Sequence, residues 1–243
     1  MWKRPGRVSW FGSRSGQYST DPTPGPFVNP TLDIGSAVSV VASSPFVGGG
    51  NSYQFTSSVN SYIDTAGSSD WAVGTGDFTI EWFGLQTTTA GFQRVFTVDD
   101  FPSIDIGVSI ESATFYYWAN DAFRFSSAGA TAINNWYHWA VVRSSGTTTV
   151  YRSGAVRGPA FADTNNITNT TDPLTIGNEN TASSLAAYVG LITNFRWVKG
   201  LAVYTGNFTV PTAALTATAD ANPYGGSNTQ AIPAGVTKLL LIP

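Results

Sequence analysis

Residues 136–157 read WYHWAVVRSSGTTTVYRSGAVR, and this stretch decides the fold. Aromatic and β-branched residues fill its first eight positions, and a Ser-Ser-Gly turn then leads into residues 147–151. A second turn, Arg152-Ser153-Gly154, leads into residues 155–157. Short glycine-containing turns between runs of β-forming residues are typical of hairpins. The stretch therefore predicts a three-stranded antiparallel meander.

The same alternation continues on both sides of the meander. Residues 78–83 (FTIEWF) place Phe78, Ile80 and Trp82 on one face of a strand. Further strands are predicted at residues 94–98, 104–110, 114–118, 173–177, 188–198 and 238–242, whereas residues 219–233 read as a loose loop. About a dozen short strands at this spacing predict an all-β fold, a two-sheet antiparallel jelly-roll sandwich.

Composition excludes several classes of protein. The 243 residues contain no cysteine, so disulfide scaffolds and thiol chemistry are ruled out. The net charge is −3, which argues against a nucleic-acid partner because such proteins present a basic face. No stretch reaches the roughly 18 apolar residues that a membrane helix needs, so we expect no membrane partner either.

Residues 1–32 differ in composition from the rest of the chain. They hold five of the 13 prolines and are net basic, whereas residues 33–243 are net acidic. Such a segment cannot bury a core of its own, so we expect an extended N-terminal arm on a domain formed by residues 33–243. Its aromatic and basic side chains would anchor it on an acidic, partly apolar surface of a partner. These predicted anchoring residues are Trp2, Lys3, Arg4, Arg7, Trp10, Phe11 and Arg14.

Several motifs resemble one family in their order along the chain. They are residues 44–55 (SPFVGGGNSYQF), 76–82 (GDFTIEW), 136–143 (WYHWAVVR), 174–177 (LTIG), 190–204 (GLITNFRWVKGLAVY) and 207–211 (NFTVP). Together they resemble the concanavalin A-like, laminin-G or pentraxin-type jelly roll, in the version found in bacteriophage virion proteins. The resemblance covers roughly residues 37–218, and residues 1–32 have no counterpart in it.

The resemblance implies a function that composition alone does not reach. It implies a non-enzymatic structural protein of a bacteriophage particle, a capsid decoration, tail or fibre component assembled in the host cytoplasm. The arm would bind other virion proteins or sister copies, and the module would be displayed on the virion. The alternative is a carbohydrate-binding lectin module used for host or glycan adhesion, with calcium dependence left open.

Enzymes of this superfold suggest a hydrolytic alternative. Glycoside hydrolysis needs two carboxyl groups a short distance apart, and these glucanases usually carry them in a Glu-x-Asp-x-x-Glu strand. That pattern is absent here: Glu81 stands alone on its strand, and Pro102 interrupts the series Asp99, Asp100 and Asp105. We therefore expect no enzymatic activity and name no catalytic residue.

The remaining site candidates are one histidine, two polar loops and one aromatic strand. His138 is the only histidine, and we expect it to point inward and bond to the backbone or a buried hydroxyl. The loops at residues 163–166 and 178–180 each offer one carboxylate, whereas calcium normally needs more, so we predict no metal site or cofactor. Tyr116 and Trp118 share one strand face and form a candidate surface for a host-surface glycan or a protein partner.

Overall fold

Two antiparallel β-sheets form the described part of the chain. The computed structural model describes residues 26–99, 103–179 and 186–243, so the seven predicted anchoring residues of the arm lie outside the described residues. The strands are β1 (Leu32–Ile34), β2 (Ser39–Val41), β3 (Ser52–Phe55), β4 (Ile63–Thr65), β5 (Phe78–Gln86), β6 (Phe92–Val98), β7 (Ile106–Glu111), β8 (Thr114–Ala119), β9 (Ala122–Ser127), β10 (Trp136–Ser144), β11 (Thr147–Arg152), β12 (Ala155–Val156), β13 (Phe161–Ala162), β14 (Leu174–Ile176), β15 (Gly190–Lys199) and β16 (Thr237–Leu241).

The strands divide into a seven-stranded and a nine-stranded sheet. The first has the order β1-β4-β14-β6-β7-β8-β9, and the second has the order β12-β11-β10-β5-β15-β3-β2. In the second sheet β13 also pairs with β11, and β16 pairs with β15. This arrangement confirms the predicted two-sheet sandwich. In the described residues, no helix is long and apolar enough to cross a membrane.

The predicted meander forms β10, β11 and β12. Ser144 pairs with Thr147, so Ser145 and Gly146 are the two residues of the first turn. Both have positive φ, 48° and 75°, and the second turn repeats this at residues 153 and 154 with 49° and 81°. Two successive residues of positive φ define the type I′ hairpin turn, whose twist matches the strands it joins. Ser-Gly therefore supplies the geometry that Asn-Gly supplies more often.

Aromatic side chains fill the space between the two sheets. Trp82 lies at the centre and contacts Phe96, Trp139 and Phe195, with ring centroids 5.7, 6.3 and 6.3 Å away. All four side chains are buried. Each fully buried side chain of this size stabilises the fold by about 1.5–3 kcal/mol relative to exposure.

A second apolar cluster lies on the opposite face of the nine-stranded sheet. There Ala140, Val142 and Val198 pack against residues of the chain beyond β15, among them Tyr204 and Phe208. The rings of Tyr204 and Phe208 are stacked with centroids 3.6 Å apart. Ile232 also belongs to this cluster and Ala219 packs against it, so the predicted loop 219–233, which forms no strand, is attached near both of its ends while most residues between them are exposed. The nine-stranded sheet is thus covered on both faces.

A buried carboxylate joins this covering segment to the sheet. Oε1 of Glu81 accepts hydrogen bonds from Nε and Nη2 of Arg196 at 2.8 and 2.5 Å. Oε2 accepts one from the Tyr204 hydroxyl at 2.7 Å and lies 3.0 Å from Nε2 of His138. Arg196 also donates to the carbonyl of Thr216. All four side chains are buried, so the charge is compensated where water cannot reach it.

His138 is buried, as expected, but its surroundings differ from the expectation in two respects. Its strand neighbours Trp139 and Val141 face the space between the sheets, whereas His138 faces the second cluster. Its partner is the carboxylate of Glu81, neither the backbone nor a hydroxyl. The alternation of the strand was visible in sequence, but both of its faces are buried, so it did not indicate which face meets the other sheet.

Residues 26–34 already contact the domain. The side-chain amide of Asn29 donates to the carbonyl of Leu240 at 2.8 Å, and the Leu240 amide donates to Oδ1 of Asn29 at 2.9 Å. Asn29 thus satisfies the main chain of β16 as a neighbouring strand would. Next, Leu32–Ile34 pairs with β4 in the other sheet.

We expect Glu81→Gln to lower the free energy of unfolding by about 3–5 kcal/mol, because Arg196 would keep a buried charge without its partner. Urea denaturation at neutral pH measures this loss. The matched control is Glu111→Gln at an exposed position, expected to change stability by less than about 0.5 kcal/mol. Equal effects of the two substitutions would contradict the role of the network.

The loss of stability in Glu81→Gln should also depend on pH. Burial alone would raise the pKa of Glu81, but the charges of Arg196 and His138 and the hydrogen bonds from His138 and Tyr204 outweigh it and lower the pKa from 4.5 to about 2. A depressed carboxyl pKa stabilises the fold fully above the unfolded value and loses this effect as pH falls. The stability gap between wild type and Glu81→Gln should therefore narrow from pH 4.5 towards pH 2.

Candidate ligand-binding surface

The outer face of the seven-stranded sheet carries the predicted aromatic pair. In β8, Phe115 and Tyr117 point into the core and are fully buried, whereas Tyr116 and Trp118 point outward and are half-buried. Phe123 of β9 lies beside both outward rings, with centroids 5.8 Å from Tyr116 and 5.9 Å from Trp118. Phe123 is 46% exposed. We call Tyr116, Trp118 and Phe123 the aromatic strip.

A buried arginine holds one ring of the strip, the Trp118 indole, in place. Nη1 of Arg94 and Nε1 of Trp118 both donate to Oγ of Ser109, at 3.3 and 3.0 Å. The guanidinium carbon lies 4.8 Å from the Phe92 ring centroid and 5.9 Å from that of Trp118. Nε and Nη2 of Arg94 bond to Glu179 at 3.2 and 2.5 Å. Because Arg94 is 1% exposed, it orients the indole and does not itself reach a ligand.

Tight turns fix the three strands that carry the strip. Glu111 pairs with Thr114, and Ala119 pairs with Ala122, so each connection has two residues. All four connecting residues have positive φ: Ser112, Ala113, Asn120 and Asp121. These are again I′-type geometries, which join β7 to β8 and β8 to β9 tightly, and the register between β8 and β9 shifts once, between Tyr117 and Trp118. The strip is therefore presented on a rigid edge of the sheet.

A glycine lies opposite the indole. Gly107 pairs with Trp118 on one side and Thr97 on the other. A Cβ on Gly107 would lie 3.1 Å from Cγ2 of Ile104, which packs over this position. The loop that contains Ile104 thereby closes against the sheet beside the strip.

Carboxyl groups gather at one end of the strip, which we call the acidic rim. It contains Asp99, Asp105, Asp121 and Asp172, from three separate loops. Partial burial, followed by the charges of Asp99, Asp172 and Asp121, raises the pKa of Asp105 to about 6. Backbone bonds tie the loops together, since the Asn120 amide donates to the Asp105 carbonyl at 2.9 Å. Sequence reasoning missed this cluster because Asp121 and Asp172 come from distant segments.

The two loops considered for calcium use their carboxylates internally. Oδ2 of Asp163 accepts from the Thr148 hydroxyl at 2.7 Å, and Oδ1 accepts from the side-chain amide of Asn165 at 2.7 Å. Glu179 is the partner of Arg94. Within the parts of the chain that the structure describes, no three acidic or histidine side chains are placed to share a metal ion. These loops therefore do not fit calcium, and the cofactor question stays a prediction.

The chain matches one family model over residues 37–201, described as the Concanavalin A-like lectin/glucanases superfamily. The chain belongs to this superfamily. The match confirms the resemblance seen in the motifs. No match was found among curated protein sequences.

Solved structures share the fold at low sequence identity. The enzymatically active domain of tailspike protein 2 from bacteriophage CBA120 aligns with a TM-score of 0.59 and 14% identity, over 88% of this chain and 33% of that one. Domain 4 of AbnA, a GH43 extracellular arabinanase from Geobacillus stearothermophilus solved with arabinotriose, aligns with 0.52 and 12%, over 71% and 82%. The binding domain of Paraclostridial Mosquitocidal Protein 1 aligns with 0.51 and 13%, over 67% and 44%. This chain thus covers less than half of the length of the first and the third of these solved chains.

We expect Asp105→Asn to stabilise the protein above pH 6 and to leave it unchanged near pH 3.8. The pKa of Asp105 is 3.8 in the unfolded chain and about 6 in the fold. As pH rises between these two values, the charge that forms on this carboxyl group lowers the stability of the folded protein. The amide carries no charge, so the repulsion from Asp99 and Asp172 disappears. Melting temperatures of both proteins at pH 3.8 and 7 measure the difference, and a gap independent of pH would contradict the clustering.

Proposed function

We propose that this chain is a non-enzymatic, glycan-binding structural component of a bacteriophage particle. The observation that carries the proposal is the aromatic strip. Of the two outer sheet faces, that of the nine-stranded sheet is covered by residues 200–236, whereas that of the seven-stranded sheet presents Tyr116, Trp118 and Phe123. An aromatic surface left exposed in this way is typical of a binding site.

The chemistry of the strip suits a sugar. A pyranose ring has one apolar C–H face, which packs on an aromatic ring, and hydroxyl groups at its edge, which need hydrogen-bond partners. Trp118 and Phe123 supply the rings. Asp121 is exposed in the turn that joins their strands and offers a carboxylate acceptor. Because Ser109 and Arg94 already fix the indole, little side-chain entropy is lost on binding.

The phage-particle part of this proposal rests on the resemblance to phage virion modules. The fold shared with a bacteriophage tailspike domain is consistent with it, as is the fold shared with an arabinanase domain solved with an oligosaccharide. Residues 1–32, with their basic and aromatic side chains, would anchor the module on other virion proteins or on sister copies.

Glycan binding should depend on the strip. We expect Trp118→Ala and Phe123→Ala to weaken binding on a glycan array at least about tenfold, the loss of roughly 1.4 kcal/mol expected for a central aromatic contact. Ile133→Ala is the matched control, because Ile133 and Phe123 are both 46% exposed and Ile133 lies outside the strip. If wild type binds no glycan, or if all three variants bind alike, the strip is not the site.

Anchoring is tested separately by deleting residues 1–25. The deletion spares Asn29 and β1, which contact the domain, so the melting temperature should stay unchanged. We expect the shortened chain to be lost from assembled particles, as measured by quantitative immunoblotting of purified virions. Undiminished incorporation would contradict the anchoring role of residues 1–25 but would not affect the proposal of glycan binding.

Hydrolysis is the second candidate, and one observation favours it. Asp105 has its pKa raised to about 6 among neighbouring carboxylates, as expected of a general acid. We expect no turnover of glycans that bind the strip. Release of sugar that Asp105→Asn abolishes would show that the protein is an enzyme.

A further inference from the structure

The outer face of the seven-stranded sheet is acidic as well as aromatic. The acidic rim lies at one end of the aromatic strip, and Asp121 within it is exposed in the turn that joins β8 and β9. Glu111 lies at the opposite end of β7, and because Val108 and Ile110 belong to the core, its side chain faces outward. Carboxylates therefore flank the strip at both ends.

Two more carboxylates extend this face towards its other edge. Asp33 of β1 is paired directly with Asp64 of β4, and the pairing continues through β14, β6 and β7 to Trp118 of β8. Residues directly opposite in paired strands share a face, so both aspartates lie on the face of the strip. Like charges directly opposite each other destabilise a sheet, and a basic partner would relieve this repulsion.

The basic side chains of the same sheet do not neutralise this charge. Its seven strands contain two of them, Arg94 and Arg124. Arg94 is buried and bonds to Glu179, whereas Arg124 donates to the carbonyls of Ala119 and Asn120. One guanidinium beside the turn does not offset the carboxylates of the face and its rim, so this surface stays negative.

The N-terminal arm has the complementary composition. Residues 1–20 contain four basic and four aromatic side chains and no acidic one. Guanidinium groups pack over Trp and Tyr rings and pair with carboxylates, so such a segment matches a face that offers both. Its length also agrees: Asp105 and Glu111 are six residues apart in the direction of β7, roughly 20 Å, whereas 14 extended residues reach roughly 45 Å.

We propose that residues 1–14 of a second copy of this chain dock on the aromatic strip and on the carboxylates around it. The complementary charge and the exposed rings carry the choice of this surface. The choice of a second copy, and not the same chain, rests on the proposed function, in which the arm anchors the module on another molecule.

Such a contact joins different surfaces of two copies. It is therefore heterologous, and it builds an open row unless the rotation between copies closes a ring. In an open row the copy at one end keeps a free arm for anchoring, and the copy at the other end keeps a free strip for a glycan. Within the row a docked arm covers Trp118, so an arm and a glycan exclude each other at one strip.

Complementation between two full-length variants tests the docking. One carries Lys3→Glu, Arg4→Glu and Arg7→Glu and keeps an intact face. The other carries Asp121→Lys and Phe123→Ala and keeps an intact arm. In sedimentation equilibrium we expect the wild type to associate, more strongly at low salt, and each variant alone to stay monomeric. A mixture of the two variants should form a dimer of one copy of each, because one intact arm then meets one intact face.

The matched control for the face variant is Ile133→Ala combined with Asp220→Lys. Ile133 and Phe123 are both 46% exposed, and Asp220 and Asp121 are both exposed, so the control should associate like the wild type. A monomeric wild type, a mixture without a dimer, or an equal loss in the control would overturn the proposal. Glycan binding that depends on Trp118, and loss from particles on deletion of residues 1–25, do not depend on this result, so the two failures are distinguishable.

Discussion

The buried negative charge of Glu81 holds together parts of the chain that lie 57 to 123 residues apart. Glu81 lies in the middle of β5, and its two oxygens bond to groups from β10, β15 and the segment beyond it. Since an uncompensated charge at this depth is very costly, loss of any one of the three partners would destabilise the fold. The covering segment 200–236 is therefore tied to the sheet by electrostatics as well as by the stacked rings of Tyr204 and Phe208.

This covering has a consequence for binding. Both faces of the nine-stranded sheet are covered, so the open surface is the outer face of the seven-stranded sheet. Tyr116 and Trp118 lie on that face. The Trp118 indole on this surface is positioned from below: it donates a hydrogen bond to Ser109, which also accepts one from Arg94, and Arg94 bonds to Glu179. The buried arginine thus acts on a ligand only through the ring that it orients.

Local chemistry made much of the fold predictable. The alternation in residues 78–83 and the Ser-Gly turns of the meander act over a few residues, so the strands and hairpins followed from them. The partners of Glu81 could not be predicted in this way, because Arg196 and Tyr204 lie 115 and 123 residues away along the chain. For the same reason the acidic rim was missed, although Asp99 and Asp105 were both noticed. The shared face of Tyr116 and Trp118 was visible because a strand with aromatic residues on both faces can be recognised locally, whereas ligand binding at this face stays a prediction.

The network that stabilises the fold also fixes the position of the proton on the ring of His138. An imidazole with no carboxylate at Nε2 would exchange its proton between the two nitrogens, and Nδ1 would then offer a donor or an acceptor. Ionised Glu81 removes that freedom, because it requires a proton at Nε2. The orientation of the imidazole is therefore determined by Glu81, which lies on the neighbouring strand β5. A substitution at Glu81 would thus change both the stability of the fold and the placement of the proton on His138.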